Sequence, residues 1–314
     1  MEFNDFCNEI RDNIGEYLLG YDFDNIQLQE VTHNNNTTHM GLLISRSEVN
    51  VAPTIYMEQY YRQYQDTGDL DAVIKEIADV YKGSLESTND MPVEIFNQKE
   101  QYFSNCYLKV VNYEKNKEML KDVPYKKFMD LAVTIRMLVR VDETGMASAI
   151  VTHDHTARLG INEKELYNAA LENTEFLFPV RINKLEDVIR DLDSNGLVQE
   201  ELPDTGIYVL SNLPRIAGAT TILYAQDQIT QFAEGLECGF YIVPSSTNEV
   251  LLCPDNNDMD PEMLQRTAME VNEFVVSDTE FLSNSIYHFD KDSREIKMEL
   301  PDPQIDDRQN QRRI

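Results

Sequence analysis

The sequence predicts an α+β fold in which helices pack on small, mainly antiparallel sheets. Apolar residues recur at helical spacing in several segments, and short β-like runs lie between and beside them. Several neighbouring runs are joined by turns of only a few residues, which suit antiparallel pairs but not parallel crossovers. This mixture of helices and tightly connected strands favours an α+β architecture over a doubly wound parallel sheet.

Residues 1–100 are predicted to form a helical region with a small hairpin. Apolar residues at helical spacing predict a helix over 3–19, and the same pattern recurs over 70–82. Two β-like runs, 26–31 and 40–46, flank a polar loop and form the predicted hairpin. This part of the chain therefore combines helices with one two-stranded ribbon.

Residues 101–300 are predicted to form an α+β domain. Its first strand or strand–helix unit is expected at 103–112, and a long helix is expected over 124–140. The apolar face assigned to that helix comprises Phe128, Leu131, Ile135, Leu138 and Val139. A strand over 146–152 follows, and Asn162 has the capping pattern that marks the start of another helix.

The last third of this domain has the most regular alternation of strands and helices. Strands are expected at 206–212, 240–246, 249–254, 285–289 and 295–299. Asp260 and Pro261 mark a helix start, because Asp is a good N-cap and Pro is tolerated in the first turn. The predicted core face of this helix comprises Met263, Val271, Phe274 and Val275. Residues 301–314 are polar and are predicted to form a disordered tail.

Composition and charge limit the functional classes to which the protein can belong. The 314 residues include 56 acidic and 27 basic side chains, a formal net charge of −29. Nucleic acids and anionic membranes are bound through Lys and Arg patches, so direct binding to either is not expected. No apolar run comes near the roughly 18 residues that a membrane-spanning helix needs, and the first residues do not have the pattern of a signal peptide. We therefore expect a cytoplasmic protein.

The four cysteines indicate the same compartment. Cys7, Cys106, Cys238 and Cys253 form no C-x-x-C pair and do not have the spacing of zinc ligands. Four cysteines in a chain of this length are too few for a disulfide scaffold, so free thiols in a reducing cytosol are expected. No cofactor is predicted.

Two polar segments are candidate ligand-binding sites. A turn between two predicted strands combines hydroxyl, amide and carboxyl groups in Ser245, Ser246, Asn248 and Glu249. A predicted strand-to-helix junction, where free N–H groups can bind an anion, contains Ser211, Asn212, Arg215 and Gly218. If the two segments converge on one pocket, the chain is a small-ligand-binding protein or a hydrolase-type enzyme. The sequence has no G-x-S-x-G elbow, and ordinary turn chemistry explains the same residues, so no catalytic residue is assigned.

Two weaker patterns concern metal ions. His153 and His155 are expected at the end of a strand, where side chains two residues apart share a face and can share a metal. A third ligand is missing nearby, so a metal is not predicted there. Residues 191–202 resemble a calcium loop, but Leu202 stands where the bidentate Glu belongs. A helix end capped by Gly196 is the preferred interpretation.

Residues 255–280 are rich in acids and are the best candidate for partner docking. The docking candidates are Asp255, Asp258, Glu262, Glu270 and Glu273, with Arg266 as the basic residue of the segment. A solvated helix face is the simple explanation. The functional alternatives are a docking surface for a basic protein partner or mimicry of a nucleic-acid backbone. The leading hypothesis is a non-enzymatic interaction or accessory protein, and whether the chain is an enzyme is left open.

Several strings also resemble a known family. LYNAALENTEFLFP, GIYVLSN, GATTILY and GFYIVPSSTNEVLLCP, together with NVAPTIYMEQYYRQYQDTG near the start, are similar to a family of uncharacterised bacterial proteins common in gut Firmicutes. The resemblance covers roughly residues 25–300 and implies a bacterial source, but no activity. Members of that family often carry His where this chain has Asn248. An amide cannot transfer protons, which argues against acid–base chemistry at that position here.

Overall fold

The computed structural model of the protein describes residues 1–46, 54–89, 93–142, 145–193, 202–256 and 260–304. Its helices and small antiparallel sheets confirm the predicted α+β fold. The chain divides into two compact units. The first comprises Met1–Asn97 and Val139–Met146, and the second comprises Gln98–Leu138 and Ala147–Ile314.

The first unit combines helices with a three-stranded antiparallel sheet. Its elements are α1 (Phe3–Asn13), β1 (Asn25–Thr32), β2 (Thr38–Ser45), β3 (Thr54–Tyr56), α2 (Met57–Thr67) and α3 (Leu70–Asn89). Strands β1 and β2 form the predicted hairpin, with Thr32 opposite Thr38 and Asn25 opposite Ser45. Its core includes the fully buried side chains of Phe6, Leu42 and Tyr81. Burying these apolar faces is the main force that holds the helices on the sheet.

The rest of the chain begins with α4 (Lys99–Asn105), β4 (Cys106–Asn112), β5 (Tyr125–Phe128), β6 (Leu131–Asp142), β7 (Gly145–Ile150), α5 (His153–Arg158) and α6 (Glu163–Leu177). It continues with β8 (Val180–Lys184), α7 (Leu185–Leu192), β9 (Tyr208–Asn212), α8 (Gln226–Leu236), β10 (Phe240–Val243), β11 (Val250–Pro254), α9 (Pro261–Val275), β12 (Ile286–Asp290) and β13 (Glu295–Leu300). One sheet has the order β13-β12-β10-β11-β9-β8. A second has the order β4-β6-β5, and β7 also pairs with β6.

The six-stranded sheet is covered by apolar side chains on both faces. Val243, Cys253 and Ile286 form a buried cluster on one face, and Leu264 and Ala268 of α9 pack against it. On the other face the rings of Phe240 and Phe289 stack, and Phe232 of α8 meets Phe240 edge-on. Helices α8 and α9 therefore cover opposite faces of this sheet.

The helix predicted over 124–140 is wrong, because this segment is the β5–β6 hairpin, in which Phe128 pairs with Leu131. Side chains on both faces of β6 are buried, among them Ala132 and Val133. Burial on both faces gives a near-continuous apolar run that periodicity does not distinguish from a buried helix. The β-branched residues of this run favour a strand.

The assignment of the core face of α9 is also wrong. Met263, Val271, Phe274 and Val275 are 62%, 47%, 84% and 75% exposed. Leu264 and Ala268 pack on the sheet instead, and Asn272 is buried in the same helix. The start of the helix is as predicted, since the side chain of Asp260 accepts a hydrogen bond from the backbone N–H of Glu262.

The segment after β13 remains attached to the second unit as far as Gln304. Asp302 is buried, and its backbone N–H donates to the Ser285 hydroxyl at 2.8 Å. The remaining residues of the predicted tail, 305–314, lie outside the described residues. Among the helices that the structure describes, none is both long and apolar enough to cross a bilayer.

Candidate functional site

The two polar segments singled out as ligand candidates lie against each other. The Ser211 hydroxyl at the end of β9 donates to the carbonyl oxygen of Asn248 at 2.7 Å. Gly218 packs on the same carbonyl so closely that a Cβ there would lie 2.0 Å from the oxygen. Ala219 N–H donates to the carbonyl of Thr247 at 3.2 Å. The junction and the turn therefore form one packed structure, named here the β9 junction.

Most polar side chains of the β9 junction are buried and bonded to nearby backbone. The Asn212 amide bonds both the N–H and the carbonyl of Ile216, and Asn212 itself is only 2% exposed. The Ser246 hydroxyl accepts a hydrogen bond from Asn248 N–H at 3.0 Å. Ser and Asn side chains bond backbone in this way in ordinary turns. These contacts leave little free hydrogen-bonding capacity for a ligand.

Glu249 is the electrostatically unusual residue of this region. Burial raises its pKa above the ordinary value, an increase that Arg215 opposes and Glu280 reinforces. A cavity of about 80 Å³ lies next to β9, and its wall includes Ser211, Asn212 and Arg215. That volume holds a few water molecules, not a metabolite. The ligand-binding role of the β9 junction remains a prediction.

The interpretation of His153 and His155 as a strand-end pair is wrong, because both lie in the short helix α5. Nδ1 of His153 lies 2.7 Å from Glu163 Oε1, whereas Nδ1 of His155 accepts from Thr152 N–H at the start of the helix. Within the residues that the structure describes, no group of three His, Cys, Asp or Glu side chains is arranged to hold a metal ion. Most of the calcium-like loop falls outside those residues.

Helix α9 presents an apolar stripe to solvent. Met263 and Phe274 are 11 residues apart, about three helical turns, and therefore project on the same side of the helix. Val271 lies one turn before Phe274, and Val275 follows Phe274 directly, about 100° further round the helix. This stripe of four exposed side chains is named the α9 stripe. A surface helix ordinarily buries such a stripe, so its exposure calls for a functional explanation.

Exposed carboxylates lie along one flank of the α9 stripe. Glu262, Glu270 and Glu273 are all exposed, and none has an ion-pair partner among the described residues. Beside them is a cleft of about 510 Å³, whose walls include Arg266 of α9 and Phe281. Three of the five predicted docking acids thus share one helix with an exposed apolar surface.

The other two docking candidates do not belong to this surface. The carboxylate of Asp255 lies 2.7 Å from Nε2 of His288, and each of these side chains is only 22% exposed. Asp255 is therefore held in a partly buried pair. Asp258 lies outside the described residues.

A buried polar cluster escaped the sequence analysis. The hydroxyls of Ser283, Ser285 and Tyr287 all donate to the carboxylate of Asp130, at 2.5, 2.9 and 2.5 Å. Burial raises the pKa of the Tyr287 hydroxyl well above its ordinary value, and the charge and hydrogen bond of Asp130 raise it further. The sequence signal that could have revealed this cluster is the S-x-S-x-Y alternation from Ser283 to Tyr287, because residues two apart on an extended chain share a face.

The family assignment rests on a match to most of the chain. Residues 3–291 match a protein family described as a family of unknown function, DUF5688. Searches of the curated proteins and of the solved structures give no significant match. The family match extends across both compact units and carries no activity with it. The chain therefore belongs to the DUF5688 family of unknown function.

Proposed function

We propose that the protein is a non-enzymatic interaction protein whose α9 stripe binds a basic amphipathic helix of a partner protein. The observation that carries the proposal is the exposure of Phe274, at 84%, beside the exposed Val271 and Val275 and on the same side of α9 as Met263. Amphipathic helices bind through apolar residues at this same spacing, and the stripe extends about 18 Å along the helix axis. That length matches about three turns of a partner helix.

The charge around the stripe selects a basic partner. Glu262, Glu270 and Glu273 lie beside it without ion-pair partners in the described parts of the chain. The net charge of −29 attracts a basic segment over a longer range and speeds its association. A second copy of the chain is a poorer occupant, because it brings the same carboxylates together. Mimicry of a nucleic-acid backbone is less well supported, because the exposed surface is apolar at its centre.

Photocrosslinking provides the test. A photoreactive phenylalanine analogue replaces Phe274 in one variant and Phe176 of α6 in the control, since both side chains are 84% exposed. In a lysate of the source cells we expect an adduct at position 274 only. Its crosslinked peptide should carry excess Lys and Arg, and its yield should fall as salt rises.

Three outcomes would overturn the proposal. The first is the same set of adducts at both positions. The second is an adduct at position 274 with another copy of this chain. The third is a crosslinked peptide without net positive charge.

The proposal includes a bacterial source and a cytoplasmic location. The sequence resemblance supports the source. The location is supported by the cysteines, all four of which are free. Burial raises the pKa of Cys106 and of Cys253 to about 12, so both thiols stay protonated and unreactive. Free thiols are typical of a reducing compartment.

A further inference from the structure

A second pocket, of about 280 Å³, lies between β5 and the start of α6. Its walls combine two lysines, two tyrosines, one histidine–glutamate pair and three apolar residues. They are Tyr125, Lys126, Lys164, Tyr167, His153, Glu163, Val123, Pro124 and Ile135. This set is named the lysine–tyrosine pocket, and all of it belongs to the second unit.

The lysines of this pocket have no carboxylate partners among the described residues. The absence is informative because acids outnumber bases 56 to 27 in the chain. Nearby Lys117 and Lys121 pair with Glu114 and Glu118, as expected in so acidic a protein. The Nζ of Lys126 instead lies 3.4 Å from the ring centre of Tyr167. A cation on a ring face keeps N–H donors available for an anion.

The histidine at the edge of the pocket is held by its neighbours. Nδ1 of His153 lies 2.7 Å from Glu163 Oε1, and the same carboxylate oxygen accepts from the Thr156 hydroxyl at 2.8 Å. Glu163 therefore has two hydrogen-bond partners and, in the part of the chain that the structure describes, forms no ion pair with either lysine. The pairing leaves Nε2 as the ring nitrogen of His153 available to a ligand.

The apolar part of the wall indicates what accompanies the anion. Tyr167 offers its ring, while Val123 and Pro124 add aliphatic surface. Tyr125 borders the pocket through its place in β5, since its ring lies on the other face of the strand, against Tyr113. The volume of about 280 Å³ is at the lower limit of ligand pockets, so it suits a single ring and not a nucleotide.

We propose that the lysine–tyrosine pocket binds a small aromatic carboxylate, with its carboxylate between Lys126 and Lys164 and its ring against Tyr167 and the aliphatic wall. This ligand site is independent of the α9 stripe. It takes a free metabolite-sized acid, not a protein segment.

Calorimetric titration of the whole chain tests the inference, with benzoate as the probe. Benzamide serves as the neutral isostere and inorganic phosphate as the anion without a ring. We expect saturable benzoate binding and at least about tenfold weaker binding of both controls, because each lacks half of the contacts. Lys126→Met and Lys164→Met should each weaken benzoate binding about tenfold, whereas Lys126→Arg should retain most of it.

The matched control is Lys121→Met, which removes an exposed lysine that pairs with Glu118 outside the pocket. It should leave benzoate affinity unchanged, and circular dichroism shows that each variant is folded. The inference is overturned if folded wild-type protein shows no saturable binding up to about 10 mM benzoate. It is equally overturned if Lys121→Met weakens binding as much as the pocket variants, or if benzamide or phosphate binds as well as benzoate.

Discussion

The β9 junction and the α9 stripe place their side chains in opposite relations to the solvent. In the junction, Ser211 and Asn212 are buried and bonded to backbone a few ångströms away. On α9, Phe274 and Glu270 are exposed and lie side by side without partners in the described structure. Side chains that are already bonded stabilise the fold, whereas side chains left unpartnered are available for binding.

The largest expected effect on stability comes from substituting Gly218, a change that tests whether the β9 junction has a structural role. Gly218→Ala places a Cβ 2.0 Å from the carbonyl oxygen of Asn248 and 2.1 Å from the Ser211 hydroxyl. Because backbone must move to relieve that contact, we expect a loss of about 3 kcal/mol in the free energy of unfolding. Urea denaturation measures it.

Gly235→Ala in α8 is the matched control, since nothing lies within 4 Å of a Cβ at that position. This substitution should stabilise the helix by about 0.5–1 kcal/mol. A Gly218→Ala protein as stable as the wild type would show that the junction is loosely packed and can open for a ligand.

The next largest effect concerns the buried cluster, which extends the comparison to a third region. Asp130→Asn replaces a carboxylate that accepts three hydroxyl donors with an amide that accepts at only one atom. We expect a loss of about 2 kcal/mol in unfolding free energy. The exposed residue Asp122 provides the control, since Asp122→Asn should change stability by less than about 0.5 kcal/mol. Equal effects of the two substitutions would contradict a structural role for the cluster.

On α9 we expect a change in binding and not in stability. Phe274→Glu should weaken partner binding about tenfold, equivalent to about 1.4 kcal/mol, while thermal unfolding stays close to wild type. Phe176→Glu, at a position equally exposed, should affect neither. Affinity measurements with the crosslinked partner segment, alongside melting curves, separate the two quantities. A large drop in melting temperature for Phe274→Glu would mean that the stripe is part of the fold.

The smallest effect is a dependence of stability on pH at Glu249. Burial raises its pKa in the folded state, so the folded protein binds this proton more tightly than the unfolded chain does. Stability contributed by the protonated form is therefore lost as pH rises from the ordinary carboxyl pKa of 4.5 through the raised value. Glu249→Gln should lose less stability over that window, as melting curves at successive pH values would show.

Glu172→Gln, which removes an exposed carboxyl on α6, should follow the wild-type profile. If Glu249→Gln and the wild type also have parallel profiles, the raised pKa of Glu249 is contradicted.

Local signals predicted much of the fold. The β1–β2 hairpin and the start of α9 at Asp260 follow from turn and capping residues whose effects extend over only a few positions. The β5–β6 hairpin was mistaken for a helix because its burial on both faces depends on the layers packed around it. The exposed side of α9 was missed for a related reason, since periodicity locates an apolar stripe without showing whether anything covers it.

The candidate sites were predictable only in part. The charge pattern singles out Glu270 and Glu273 as docking candidates, whereas helical periodicity wrongly places Phe274 in the core. The lysine–tyrosine pocket joins β5 to α6, about 40 residues apart in the chain, and such pairs become visible only once the fold brings them together.

The division of β6 between the two units has a consequence for inheritance. The strand starts at Leu131 in one unit, and its last residues, from Val139, belong to the other. Neither unit is one continuous stretch of chain, so moving a single stretch of the gene would not be expected to transfer either of them intact. We therefore expect the two units to be inherited together, and the family match extends over both of them, from residue 3 to residue 291. Homologues should therefore gain or lose both units as a single evolutionary module.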